Sequence, residues 1–265
     1  MDLQLSGKVA VVTGGSRGIG KAIAHGLAEE GVSVAICARS RSAVEAAASD
    51  ISSATGRAVQ PYVTDVTRRS DVDAMMEDIA RRLGRLDILV NNAGIPGGAE
   101  KGPLQVVSDE GLLKDLDTKY VGYLRCARAV APYMQKQGWG RIINIGGYAQ
   151  LAASAYSTGA RNMAVVHLSR ILSLELARDG VTSNVVHPGA TRTERTDQLW
   201  AETAEREGIA VEEVIARYDV GNDYRRWIEA KEVADVVVFL ASPRSSALTG
   251  ETIGAGGGAR PAMFM

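Results

Sequence analysis

Val9-Ala-Val-Val-Thr-Gly-Gly-Ser-Arg-Gly-Ile-Gly20 decides how this chain folds. A β-branched apolar run, Val9 to Thr13, passes into a glycine-rich turn and then into a segment of helical period from Ala22 to Glu30. Glycines allow a tight turn and close approach of the backbone to a pyrophosphate, which then lies on the positive N-terminus of the helix. The string Thr13 to Gly20 would be weak evidence alone, because surface turns also collect glycine. Its place between a strand and a helix gives it weight.

The alternation continues along the chain. Val32–Cys37, Ala58–Val63, Asp87–Val90, Arg141–Ile145 and Val181–His187 read as further strands. Ser42–Thr55, Ser70–Leu83, Leu116–Gln137 and Thr158–Arg178 read as the helices between them. Gly31, Gly56, Gly84, Gly138 and Gly180 stand where each helix should stop, since glycine takes the left-handed cap without steric cost. Strands apolar on both faces belong in a parallel sheet with helices on each side. Right-handed crossovers make it doubly wound, an α/β fold. No repeat or linker interrupts the pattern, so the chain is expected to be one domain over residues 1–265.

Two segments depart from the alternation. Ile95–Lys114 carries Pro96-Gly-Gly98 and Lys101-Gly-Pro103 and reads as a long insertion. Thr191–Ala230 carries Trp200, Tyr218, Tyr224 and Trp227 among many charges. Long loops beyond the strand C-termini of such a sheet usually cover a ligand, so 191–230 is expected to be a substrate lid.

Composition limits the partners. The 265 residues are 46% apolar and 23% charged, and 30 basic against 31 acidic side chains leave a net charge of -1. That is ordinary for a globular protein and points to no nucleic-acid partner. Apolar stretches such as Val236–Ala241 are too short to cross a bilayer. Met1-Asp-Leu-Gln-Leu-Ser-Gly-Lys8 lacks the cationic and apolar segments of a secretory signal. Cys37 and Cys126 sit in apolar periodic segments and read as core thiols in a reducing compartment. His25, His167 and His187 have no metal-ligand spacing, so no metal is expected. A cytoplasmic location follows as an expectation.

Further pieces fall at the C-terminal ends of successive strands: Asp65-Val66, Asn91-Asn-Ala-Gly94 and His187-Pro-Gly-Ala-Thr-Arg-Thr193. With the glycine turn they resemble the short-chain dehydrogenase/reductase family from Gly7 to about Gly258. The resemblance implies a Rossmann-type sheet and a nicotinamide dinucleotide held by Gly14, Ser16, Arg17, Gly18, Ile19 and Gly20 at the phosphates. It implies Asp65 and Val66 at the adenine and Asn92, Ala93 and Gly94 at the riboses. Pro188, Gly189, Thr191 and Thr193 would hold the nicotinamide end. It also implies a homotetramer or homodimer built on the two long helices.

Cofactor choice is argued locally. A carboxylate after the second strand would bind the ribose 2′-hydroxyl and repel a 2′-phosphate. Here the chain reads Cys37-Ala-Arg-Ser-Arg41, with Arg39 and Ser40 at that point and Arg17 nearby. Arginines pair with phosphate through charge-assisted, often bidentate hydrogen bonds, so NADP(H) is expected in preference to NAD(H).

The family's chemistry rests on Asn, Ser, Tyr and Lys, and here the pattern departs. The stripe Val165, Leu168, Leu172 and Leu176 sets the helix register, and counting back puts Thr158 at the tyrosine position and Asn162 at the lysine position. Gly140-Arg-Ile-Ile-Asn-Ile-Gly-Gly147 puts Gly147 at the serine, and Lys119 falls at the asparagine. Tyr156 stands two residues early, with uncharged Ala160 four residues on. Arg161 lies about 140° further round the helix than Tyr156. Tyr148 is another phenol nearby. Lys119 is either the substitute cation, or a lysine that reaches solvent or pairs with Asp115 or Asp117. The expected activity is that of an NADP(H)-dependent oxidoreductase on a small carbonyl or alcohol, with a non-standard site drawn from Lys119, Tyr156, Thr158 and Asn162. The alternatives are an enoyl-thioester reductase and a non-catalytic dinucleotide-binding scaffold.

Overall fold

A computed structural model describes residues 1–100, 102–148, 156–218 and 220–258. Seven strands form one parallel sheet: β1 (Val9–Thr13), β2 (Ser33–Ala38), β3 (Val59–Val63), β4 (Ile88–Asn91), β5 (Gly140–Ile145), β6 (Val181–Pro188) and β9 (Thr252–Ala255). Their spatial order is β3-β2-β1-β4-β5-β6-β9. The order reverses between β1 and β4, which pair through Ala10↔Ile88, Val11↔Leu89 and Val12↔Val90. Ligands of such sheets bind in the crevice above that reversal.

Side chains alternate across each strand, so one set faces each layer of helices. Ala10 and Val12 of β1 pack with Ile23 and Leu27 of α1 (Gly18–Glu29), Val44 and Ile51 of α2 (Arg41–Thr55), and Val237 of α9 (Ala230–Ala241). Val9 and Val11 face Met76 of α3 (Arg69–Leu83), Val130 of α5 (Gly122–Gln137) and Leu168 of α6 (Tyr156–Leu176). Cys37 and Cys126 are buried free thiols, and burial pushes Cys37 up to about 12.

Each of the glycines expected to stop a helix has a left-handed φ, between 64° and 79°. Besides α9 and the elements of the 191–230 segment, two elements were not legible. The second half of the expected insertion is α4 (Asp109–Leu116), capped by the Ser108 hydroxyl, which accepts from Gly111 N–H. It runs through a π-helical turn, Asp117–Val121, into α5. The second is β9, which pairs with β6 through Val185↔Thr252 to Pro188↔Ala255.

Residues beyond β6 build a separate small layer: α7 (Glu194–Glu207), α8 (Val211–Ala216), and β7 (Thr191–Arg192) paired with β8 (Ile228–Glu229). Trp200, Tyr218 and Trp227 pack on one another, with Trp200 and Trp227 edge to face at 4.9 Å. Three of the aromatics that mark this segment in the sequence thus pack against one another, with Trp200 buried and Tyr218 43% exposed. Tyr224 is exposed.

Candidate active site

The glycine turn is shaped by what its backbone must pass. Gly14 has φ +65°, and a Cβ there would lie 3.0 Å from Ala93 Cα. A Cβ on Gly20 would sit on the Gly14 carbonyl oxygen and the Asn92 amide, well inside van der Waals contact. Thr13 ties this turn to the end of β4. Its Oγ1 accepts from Asn92 N–H at 2.9 Å and Ala93 N–H at 3.1 Å, and Asn92 Nδ2 donates to the carbonyls of Thr13 (3.0 Å) and Gly14 (3.1 Å). Asn92 thus spends its amide on the walls of the crevice. Thr13 is fully buried, and its part as a hub was not legible in the motif alone.

The crevice is a cleft of about 650 Å³. Gly14, Ser16, Arg17, Gly18, Ile19, Gly20, Arg39, Ser40, Asp65, Val66, Asn92, Ala93, Gly94 and Thr193 all line it. Asp65 is committed locally: Thr67 N–H and hydroxyl donate to its Oδ1 at 3.0 and 2.8 Å. Burial works to raise Asp65, but those bonds and the Arg39 charge hold it below the usual carboxylate range. Glu194, not foreseen, enters the same cleft, where its Oε2 accepts from Gly18 N–H at 2.9 Å.

Pro188 and Gly189 lie apart from the lining of that cleft. With Ala190, Tyr148, Val220, Gly221, Asn222 and Gly256 they line a second hollow of about 300 Å³. Thr191 hydroxyl donates to Gly189 O at 3.1 Å, bracing the turn.

At the end of β5 four elements converge. Lys119 is buried, and its Nζ donates to Gly146 O at 2.9 Å. Asn162 Nδ2 donates to Gly147 O at 3.2 Å, and His187 Nδ1 accepts from Gly147 N–H at 2.7 Å. Lys119 reaches neither solvent nor Asp115 nor Asp117: Asp115 binds Arg161, and Asp117 binds Arg125. Burial, then the Arg161 charge, push the Lys119 amine down to about 7, against an upward pull from Asp115. Burial and the Lys119 charge push His187 down to about 4, leaving a neutral imidazole near pH 7.

Thr158 is buried beside Gly98, where a Cβ would lie 2.7 Å from its Cγ2. Tyr156 goes the other way, 49% exposed on the outer face of α6; like Lys119, Thr158 and Asn162, it lines neither hollow. The helix turn accounts for this, because Ser157, Thr158, Arg161 and Asn162 take the inward face. Among the described residues no cluster of His, Cys, Asp or Glu has the arrangement to hold a metal, and no helix is long and apolar enough to cross a membrane.

Residues 14–260 match the family model described as enoyl-(acyl carrier protein) reductase. The chain is 35% identical over 256 residues to the 3-oxoacyl-(acyl-carrier-protein) reductase FabG of Haemophilus influenzae, covering 96% of this chain and 98% of that protein. It is 36% identical over 251 residues to the short-chain reductase protein NovJ of Streptomyces niveus, covering 94% and 93%. Among solved structures, the L-sorbose reductase of Gluconobacter frateurii complexed with NADPH and L-sorbose superposes with a TM-score of 0.92 at 28% identity, over 99% of this chain and 100% of that one.

Proposed function

Because the chain belongs to the short-chain dehydrogenase/reductase family, whose members are NAD(P)-dependent oxidoreductases of carbonyl and alcohol substrates, we propose that it is an NADP(H)-dependent carbonyl reductase with a lysine-centred site. A dinucleotide suits the residues present. The glycine turn leaves no room for a Cβ at Gly20, and the 650 Å³ cleft continues from it to Arg39, Ser40 and Asp65. Gly18, Ile19 and Ser16 would meet the phosphates, Arg39 and Arg17 a 2′-phosphate, and Thr193 the nicotinamide end. The bound nicotinamide supplies or accepts the hydride.

The preference for NADP(H) draws support from Arg39 in the cleft wall and from the lack of a carboxylate between Cys37 and Arg41. Arg39→Asp is expected to reverse the order of affinities, replacing a phosphate partner by a group that repels phosphate and accepts from a ribose hydroxyl. Calorimetric titration with NADPH and NADH checks it; an unchanged order sinks the assignment.

At the reacting end, Thr158, Asn162, Gly147 and Lys119 take the family's tyrosine, lysine, serine and asparagine positions. A threonine hydroxyl is a poor acid beside a phenol. The observation that carries the proposal is the Lys119 amine at the end of β5, beside the Gly147–Asn162 contact. A buried cation there stabilises charge developing on a carbonyl oxygen and has a proton to give. Tyr156, exposed on α6, has no part in this reading. The outer face of α6, with Tyr156, Met163, Ile171 and Leu174 exposed, supports assembly as a homodimer or homotetramer. Residues 191–230 would cover the substrate through Val220–Asn222 at the second hollow. The buried free thiols fit a cytoplasmic protein.

Lys119→Met is expected to lower reduction by about 10²–10⁴-fold while leaving NADPH binding nearly unchanged. Because the amine is held near 7, reduction by the unsubstituted protein should be fastest below that pH and fall as the cation deprotonates above it. NADPH consumption with a panel of ketones, 3-oxoacyl thioesters and enoyl thioesters checks both. The enoyl arm is included because the matched family model carries that description. Tight NADPH binding with no turnover on any substrate would favour the non-catalytic scaffold.

A further inference from the structure

Asp115 and Lys119 stand four residues apart on one continuous helix, the spacing at which such a pair normally forms an ion pair. They do not form one. Asp115 Oδ1 accepts from Arg161 Nη1, and its Oδ2 accepts from Ala99 N–H at 3.2 Å. Arg161 also donates to Ile95 O at 3.0 Å, joining α6 to the exit of β4 and to α4. Lys119 instead reaches across to Gly146 O. Among the described residues this buried cluster holds two cationic side chains and one carboxylate, and the carboxylate goes to the residue that makes no contact at the end of β5.

We infer that Arg161 is a positioning residue for Lys119: by taking the Asp115 carboxylate it leaves the lysine amine directed at the end of β5. This rests on the reading of Lys119 as the working cation. An amine already neutralised by Asp115 would offer less charge to a carbonyl oxygen and would be slower to give up its proton. The charged and titratable groups facing Lys119 are Asp115 on its own helix, Arg161 from α6 and His187 from β6. Tyr123 of α5 is also buried nearby, and its hydroxyl donates to Ile145 O at 3.0 Å. Burial keeps the imidazole and the phenol neutral, so Asp115 and Arg161 set the balance.

The test follows Lys119 directly, by NMR of carbon-13-labelled lysine in the full-length protein, with Lys119→Met to assign the resonance. Removing the charge in Arg161→Met should let Asp115 capture the amine and raise its titration by at least about one pH unit, a tenfold change in acidity. The descending limb of the reduction pH profile should move upward with it. Asp115→Asn/Arg161→Met, which deletes both partners, should return the titration to near the original value. Arg161→Gln keeps a donor to Asp115 and Ile95 and removes only the charge, so it should show the same upward shift should Arg161→Met fail to fold. A titration unmoved in Arg161→Gln, or equally raised in the double variant, would overturn the inference and leave the π-helical turn as the cause of the separation. An effect of these variants on the Lys119 titration, with Lys119→Met fully active, would sink the proposed role of the lysine while leaving the capture itself established.

Discussion

Gly20→Ala is expected to weaken NADPH binding by about 100-fold or more, close to 3 kcal/mol, because its added methyl has nowhere to go. The atoms it would meet are the Gly14 carbonyl, which is backbone, and the Asn92 side-chain amide, which two hydrogen bonds hold in place. The Gly14 carbonyl accepts from Asn92 Nδ2, and Asn92 N–H in turn donates to Thr13 Oγ1, so the clash spreads into the seam between β1 and β4. The helix start would have to tilt away from the turn, carrying the N–H groups of Gly18 and Ile19 out of line with a phosphate. Gly56→Ala is the control. Gly56 is a left-handed helix cap at φ 67° with nothing within 4 Å of its Cβ, so the substitution should cost stability and leave affinity alone. Calorimetry on the two variants separates the effects; normal NADPH affinity in Gly20→Ala would mean that the glycine turn is not the phosphate cradle.

That contrast marks how far local signals carried. The strands β1 to β6 were legible because each is a short β-branched run followed by a helix that a glycine ends. β9 was not, because Thr252-Ile-Gly-Ala255 is short, only partly buried and contains a glycine. It is a strand because β6 offers a free edge, and no window of sequence contains that fact. α4 was hidden by the proline and glycine clusters before it, although Ser108 followed by Asp109 and Glu110 is a helix-start signal. In the site, counting from the Val165–Leu176 stripe and from Gly140 singled out Lys119, Gly147 and Asn162, and the folded chain brings these residues together at the end of β5. The contacts of Arg161 with Asp115, 46 positions apart, and of Glu194 with Gly18, 176 apart, were beyond reach. Periodicity says which face a residue takes but not which distant partner meets it there. The packing of Trp200, Tyr218 and Trp227 was out of reach for the same reason: the composition was readable, the mutual contacts were not.

Asp115→Ala is expected to be the most destabilising single change at this site, at about 3–5 kcal/mol, because it strands a buried charge. Asp115 is fully buried, and the Arg161 side chain that it holds is 7% exposed, so the guanidinium has no route to water without moving α6. The loss is compounded by Lys119, since the anion that acts on two buried cationic groups disappears. For a chain of this length the melting temperature should fall by about 10 °C. Arg161→Met removes the same ion pair from the other side yet should cost less, because Asp115 keeps Ala99 N–H and gains Lys119 as a partner. Asp115→Ala/Arg161→Met should recover most of the loss, since an apolar pair replaces an ionic one instead of orphaning half of it. The pair's coupling is read from the double-mutant cycle in urea. Additive losses would mean that the two residues act separately. Equal costs for Asp115→Ala and Arg161→Met would mean that Asp115 gains nothing from the lysine four residues on. The asymmetry between the two single variants is therefore the sharper measurement: it depends on a second cation being within reach of the same carboxylate, which an isolated buried ion pair would not have.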